Sequence, residues 1–348
     1  MRLEGSAMYL LGLDLGTTAI KTALISVDGT VVKKSVKEYE LVTPSPNEVE
    51  LPVEVYWDSF KKSLNELFES SGVPQKDVVV MGMSVQGETL VFVDGKGEPL
   101  HNAIVWLDNR AQEEADALDH DFPHEITYRT TGQVSIVPTW PAAKILWVKK
   151  NMSGLYEKTR KFLLLEDYFI HRLTGRYAAE GSLLSSTVYW NIRTRNWWTE
   201  MLDRLGIDQD RLPEIRESGE VVGTILPEVA AELGLSPEIQ ITTGALDPAA
   251  GAIGVGNISP GLFSENTGAA LAICATVDEP FMDPNFTMPC HYHGIPGLYM
   301  AHTFTSGGMV LKWLRDKFCM AEMDLAPLLG KDSYAVLDEE AACVPAGC

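Results

Sequence analysis

The chain has 348 residues, a hydrophobic fraction of 45% and a formal net charge of -20. That length allows two domains with sizeable cores, and an acidic surface of this size repels nucleic-acid phosphates and anionic membranes, so neither is an expected partner. The five cysteines (Cys274, Cys290, Cys319, Cys343 and Cys348) are odd in number, lie late in the chain and show no metal-ligand spacing. With no secretory signal in view, reduced thiols in a cytoplasm are the simplest account.

The apolar run 9–13 reads as a short buried strand that ends on Asp14. Gly16 then permits a tight turn, Thr17 and Thr18 offer hydroxyls and main-chain N–H groups, and Lys21 adds a positive charge at the start of a second strand over 20–27. Such a turn suits metal-nucleotide phosphate, although an ordinary hairpin with a polar tip has the same composition. It is not a P-loop, because no G-x-x-x-x-G-K-[ST] occurs and the turn leads into a strand. A third strand follows the turn dipeptide Asp28-Gly29. The segment 44–52 is a loop, 53–69 carries apolar residues at helical spacing, and Gly72-Val73-Pro74 stops that helix. Strands are expected over 78–85 and 89–93, the latter closing in the polar turn 94–97.

From 141 to 205 the chain reads as mostly helical, with Pro141 at a helix start and Gly175 at a stop. The aromatic pairs Tyr189-Trp190 and Trp197-Trp198 are read as core or interface packing. The basic stretch 149–161 is interrupted at 151–155 and reads as a solvated helix face and loop. A strand is expected over 239–243, followed through Gly244-Ala245-Leu246 by Asp247 and a helix of small residues. Near Gly256 a second unit opens, in which Asn266-Thr267-Gly268 repeats the theme of strand, Thr-Gly turn, strand.

Taken in order, GLDLGTTAIKTALIS, MGMSVQGETLVFVD, NAIVWLDNRA, PTWPAAKILWVKKN, LLLEDYFIHRLTGRY, TTGALDPAAGAIGVG, FSENTGAALAIC and FTSGGMVLKWLRDKF resemble the motifs of the FGGY carbohydrate kinases, within the actin-like and hexokinase-like ATPases. Residues 139–151 fit the family's first signature at every position but the first, where Thr139 stands in for a small or aromatic residue. The resemblance implies an α/β fold of two ribonuclease H-like domains flanking a cleft, the second incomplete: 1–254 as the sugar-binding domain with the first phosphate hairpin, and 255–348 as a partial C-terminal domain. Family members carry a further segment with a Gly-Gly adenosine-binding turn and a second signature, neither of which occurs here, so low intrinsic affinity for ATP is expected. Met8 is a candidate native start.

The resemblance also implies site residues. Asp247 matches the family's general base, a weak one that suffices because a largely dissociative transition state lets the acceptor proton move late. Read from its residues alone, Asp247 is more simply an N-cap of the helix opening at Pro248. Asp14 is expected to hold Mg²⁺ through water, and Gly16, Thr17, Thr18, Lys21, Thr267, Gly268 and Gly308 to cradle the phosphates of ATP. Gln86, Glu88, Trp106, Asp108 and Arg110 match the sugar-contacting motifs. Gly87 stands where the glycerol kinase branch carries an arginine, and Pro248 where many members place Asn or Gln. The run HGIPGLYMAHTFTSGG is more similar to the xylulose kinase branch, which points to a pentulose such as xylulose, with glycerol or gluconate behind it. A catalytically weak sugar-binding relic is the competing class. A Rossmann oxidoreductase is disfavoured, since no G-x-G-x-x-G follows the first strand. The expected partner is a small sugar or polyol, and a homodimer is compatible with this reading.

Overall fold

A computed structural model of the chain describes residues 8–267, 270–345 and 347. Strands Tyr9–Leu15, Ala19–Ser26 and Val31–Glu38 form an antiparallel meander in which Asp14 sits opposite Lys21. Gly29, at φ +90°, makes the second turn, and Asp28 accepts the Thr30 amide at 2.9 Å, the local bond that makes this dipeptide a turn former. Strand Val78–Val85 then adds parallel to Tyr9–Leu15, and Gln240–Thr242 and Ala245–Leu246 add parallel to its other edge. With Val221–Thr224 at the margin, this is a seven-stranded sheet in the expected ribonuclease H-like arrangement.

Helix Val53–Ser71 packs against the second and third strands and ends where Gly72 adopts φ +69° and caps Phe68. Its buried Trp57, Phe60, Leu64 and Leu67 recur every three or four residues, so one stripe faces the sheet. Trp57 meets Phe60 and Phe169 at ring separations of 5.7 Å, which ties this helix to helix Leu165–Thr174. The middle of the chain is helical in part, as expected, but short strands interrupt it at Lys161–Leu164, Ala178–Glu180 and the hairpin Trp190–Asn191 with Asn196–Trp197. Tyr189, Trp190 and Trp198 are buried, in keeping with the packing reading. In the basic stretch, Arg160 pairs with Asp210 and Lys161 donates to the Leu212 carbonyl at 2.6 Å.

Two compact units result. The first holds the described residues up to Leu262 together with Ala275–His302, whereas the sequence reading divides the chain after Gly254. Strand Cys290–Tyr292 belongs with the first unit because its Cys290 amide donates to the Gly132 carbonyl at 2.9 Å and its Tyr292 amide to Ser185 Oγ at 2.8 Å. The second unit comprises Phe263–Cys274 and Thr303 onward. It contains the strand Phe263–Thr267 and helices Gly308–Phe318, Met320–Leu328 and Ser333–Ala342. Among the described residues Cys290, Cys319 and Cys343 are free thiols, and no helix is long and apolar enough to cross a membrane.

The ring cluster makes a direct prediction. Phe169→Ala should lower unfolding stability by about 3–5 kcal/mol, read as a fall in the urea midpoint at unchanged slope.

Candidate active site

The site is built at the carboxyl ends of the parallel strands. Asp14 occupies the penultimate position of its strand, where register places it between Lys21 on one neighbour and Ser84 on the other. One carboxylate oxygen accepts from Lys21 Nζ at 2.8 Å and the other from Ser84 Oγ at 3.0 Å. The turn that follows is closed by the Gly16 amide donating to the Ala19 carbonyl at 3.1 Å, and a Cβ on Gly16 would stand 2.8 Å from that same oxygen, so only glycine fits. Thr18 is exposed at the tip.

Two of the sugar-motif residues reach this hairpin. Gln86 Nε2 donates to the Gly16 carbonyl at 3.0 Å, and Trp106 Nε1 donates to Thr17 Oγ1 at 2.8 Å. The Tyr39 hydroxyl also donates to the Gly16 carbonyl. Gln86 Oε1 is buried with no hydrogen-bond partner among the described residues. Glu88 holds φ +55°, a left-handed conformation unusual for a residue with a side chain. Burial pushes its carboxyl up, while a hydrogen bond from Ser186 and the charge of Lys144 work the other way. Lys144 is fully buried and donates to the Val105 carbonyl at 2.8 Å; burial pulls its ammonium down, against the attraction of Asp108 and Glu88.

Asp108 and Arg110, expected to face the sugar, are turned inward instead. The guanidinium donates to Asp108 at 2.8 Å and to Glu50 at 2.7 Å, and the three side chains are 0%, 4% and 7% exposed for Asp108, Arg110 and Glu50. Asp108 also accepts the Val49 amide at 2.6 Å. A carboxylate surrounded by donors of its own chain fixes its loop and leaves little capacity for a ligand.

Asp247 is the first residue of helix Asp247–Gly254, whose cap position is Leu246 and carries no side-chain cap bond. The helix-capping reading therefore does not describe it. Register sets Ala245 beside Ser84, with Asp14 on the far side of that same strand, so the two aspartates flank one strand end. The Asp247 carboxylate is open to solvent, yet protein packs around it as at the wall of a cleft. Its carboxyl is pushed up to about 7 by burial and by the negative charges of Glu88 and Asp14, with Lys21 opposing. An adjoining cavity of about 620 Å³ is lined by Asp14, Lys21 and Ser84 on one side and by Thr243, Gly244 and Ala245 on the other.

In the second unit, Gly308 opens helix Gly308–Phe318 with Gly307 at its cap, and Thr267 ends strand Phe263–Thr267; Gly268 lies outside the described residues. Among the described residues no group of three or more His, Cys, Asp or Glu side chains could hold a metal by itself. A water-mediated cation needs less, and Asp14 retains lone pairs beyond the two its partners use.

Residues 9–254 match the family sequence profile described as FGGY family of carbohydrate kinases, N-terminal domain. The chain belongs to that family. It is 29% identical over 339 residues to a gluconokinase of Bacillus subtilis, covering 97% of this chain and 66% of that protein. To an autoinducer-2 kinase of Yersinia enterocolitica it is 27% identical over 349 residues, covering 98% and 65%. Among solved structures, the xylulose kinase from Rhodospirillum rubrum superposes with a TM-score of 0.88 at 25% identity, covering 97% of this chain and 68% of that one. The chain thus spans about two thirds of the length of the curated relatives it matches.

Sequence reasoning missed Lys144, Ser186 and Tyr39. Lys144 left a signal: a lysine among Ala142, Ala143, Ile145 and Val148 on a wholly buried stripe must find a carbonyl or a carboxylate. Ser186 and Tyr39 left none, because their roles depend on contacts distant in sequence.

Two outcomes follow. Arg110→Ala leaves Asp108 and Glu50 buried without their cation and should cost about 3–5 kcal/mol in urea unfolding. For Asp247, a folded-state value above the unfolded one gives stability that is present below about pH 4 and lost as pH rises through about 7. Asp247→Asn should therefore raise the melting temperature at pH 8 and leave it unchanged at pH 3.

Proposed function

We propose that this chain phosphorylates a hydroxyl of a sugar or polyol at the expense of ATP, with a pentulose such as xylulose as the first acceptor to test and gluconate and glycerol next. The observation that carries the reading is the placement of Asp247 at a strand end beside Glu88 and across one strand from Asp14, with its carboxyl pushed up to about 7. A carboxylate so tuned takes a hydroxyl proton more readily than an ordinary aspartate and is still largely ionised above neutrality.

When bound, Mg-ATP supplies the γ-phosphoryl group and a cation to offset its charge. Asp14 would hold the hydrated cation, with Lys21, Thr17, Thr18 and the Gly16 turn beside the phosphates. Asp247 orients the acceptor hydroxyl and receives its proton. Gln86 has a buried oxygen free to accept a hydroxyl, Glu88 lies two residues further on, and Trp106 offers an aromatic face for C–H groups. Asp108 and Arg110 support this site by fixing the loop that presents Trp106. The similarity to proteins named gluconokinase, autoinducer-2 kinase and xylulose kinase supports a small polyhydroxylated acceptor.

Coupled-enzyme ADP release on xylulose, other pentuloses, gluconate and glycerol provides the test. Sugar-stimulated turnover that Asp247→Ala lowers by at least about 100-fold is expected. Its logarithm against pH should fall on the acid side of about 7. Sugar binding by calorimetry with no turnover at millimolar ATP would replace the kinase with a sugar-binding relic.

A further inference from the structure

We infer that two buried carboxyl groups, Glu166 directly and Glu180 through Ser182, clamp the backbone of residues 244–246 and thereby set the position of the Asp247 carboxylate. The inference rests on the reading of Asp247 as the base and adds three positioning residues to it.

The Gly244 amide donates to Glu166 Oε1 at 2.7 Å, and the Leu246 amide donates to Ser182 Oγ at 2.9 Å. Ser182 Oγ in turn donates to Glu180 Oε1 at 2.6 Å. Glu180 is itself immobilised, accepting the Ser182 and Leu183 amides at 2.7 Å each and the Ser218 hydroxyl. The two clamped amides flank Ala245, on the last short strand before Asp247. A two-residue strand supplies little ladder of its own, so acceptors from helices Leu165–Thr174 and Gly181–Leu184 take the place of a neighbouring strand. Packing leaves Gly244 no room for a side chain: a Cβ there would stand 2.1 Å from the Met83 carbonyl.

The chemistry of the clamp is costly, which argues for a role beyond stability. Glu166, Glu180 and Ser182 are all 0% exposed, and neither carboxyl makes an ion pair among the described residues. Glu166 Oε2 is buried with no partner there. Burial pushes both carboxyls up, and apolar side chains of the same volume would avoid that penalty. What they provide is a pair of fixed acceptors within three residues of the reacting carboxylate. A misplacement of about 1 Å at such a group costs on the order of 100-fold in rate.

The test reads Asp247 itself, by ¹³C NMR of aspartate carboxyls, with its resonance assigned as the one lost in Asp247→Asn. Glu88, Asp14 and Lys21 are the charged groups that face it, and none is altered in the variants. Ser182→Ala and Glu166→Ala should move its midpoint from about 7 toward the ordinary value by about one pH unit or more. Where turnover is measurable, kcat should fall by about 10- to 100-fold with KM for sugar and ATP within about twofold. Ser182→Thr and Glu166→Gln retain an acceptor oxygen and should restore both midpoint and kcat. An Asp247 resonance and midpoint unchanged in folded Ser182→Ala and Glu166→Ala overturns the clamp. So does an equal shift in the alanine and the conservative variants. Turnover that persists in Asp247→Asn removes the base reading instead, while the comparison between alanine and conservative variants still decides the clamp.

Discussion

Parallel pairing of strand Val78–Val85 with Tyr9–Leu15 on one edge and Ala245–Leu246 on the other is the constraint on which the site depends. Main-chain bonds fix the register of all three strands at once, so Asp14, Ser84 and Ala245 arrive in one row although they are far apart in sequence. A slip of one residue in either pairing would turn Asp14 or the approach to Asp247 to the opposite face of the sheet. The geometry of this candidate site is a property of backbone register first and of side chains second.

Charge is handled with the same economy. A chain with net charge -20 assembles Asp14, Glu88 and Asp247 in one neighbourhood, and the cations facing them are Lys21 on the surface and Lys144 from beneath. Burial, and after it the negative charges of Glu88 and Asp14, keep Asp247 partly protonated near neutrality, whereas Asp14 accepts from two donors. Three acids in one crevice are thus made unequal by surroundings alone. In the Glu50–Asp108–Arg110 group, by contrast, two carboxylates share one guanidinium and together hold a loop.

Much of this was legible in the sequence, and the reasons are local. The opening meander, helix Val53–Ser71 and strand Val78–Val85 follow from apolar period and turn residues, and the order of motifs gave the family before any coordinate. The positions of Asp14 and Asp247 were legible because each lies at or just after a strand end beside a glycine-bearing turn. The inward turn of Asp108 and Arg110 was not legible, because polarity near a motif does not reveal which way a side chain points. Glu166 and Ser182 were invisible for a similar reason: their partners lie 78 and 64 residues away in the chain, and no periodicity encodes that meeting. The boundary between units depends likewise on a late strand returning to Gly132, a long-range event.

The cavity beside Asp14 has a further practical side. Most of its wall is the aliphatic face of the sheet, where Leu10 and Val36 stand 37% and 49% exposed, and in the second unit Trp313 and Phe318 are 54% and 66% exposed. Solvent-facing grease of that kind gives fluorescent hydrophobic dyes a seat on fully folded protein. Dye-based melting curves of this chain will begin from a bright baseline, so circular dichroism or calorimetry is the sounder thermometer.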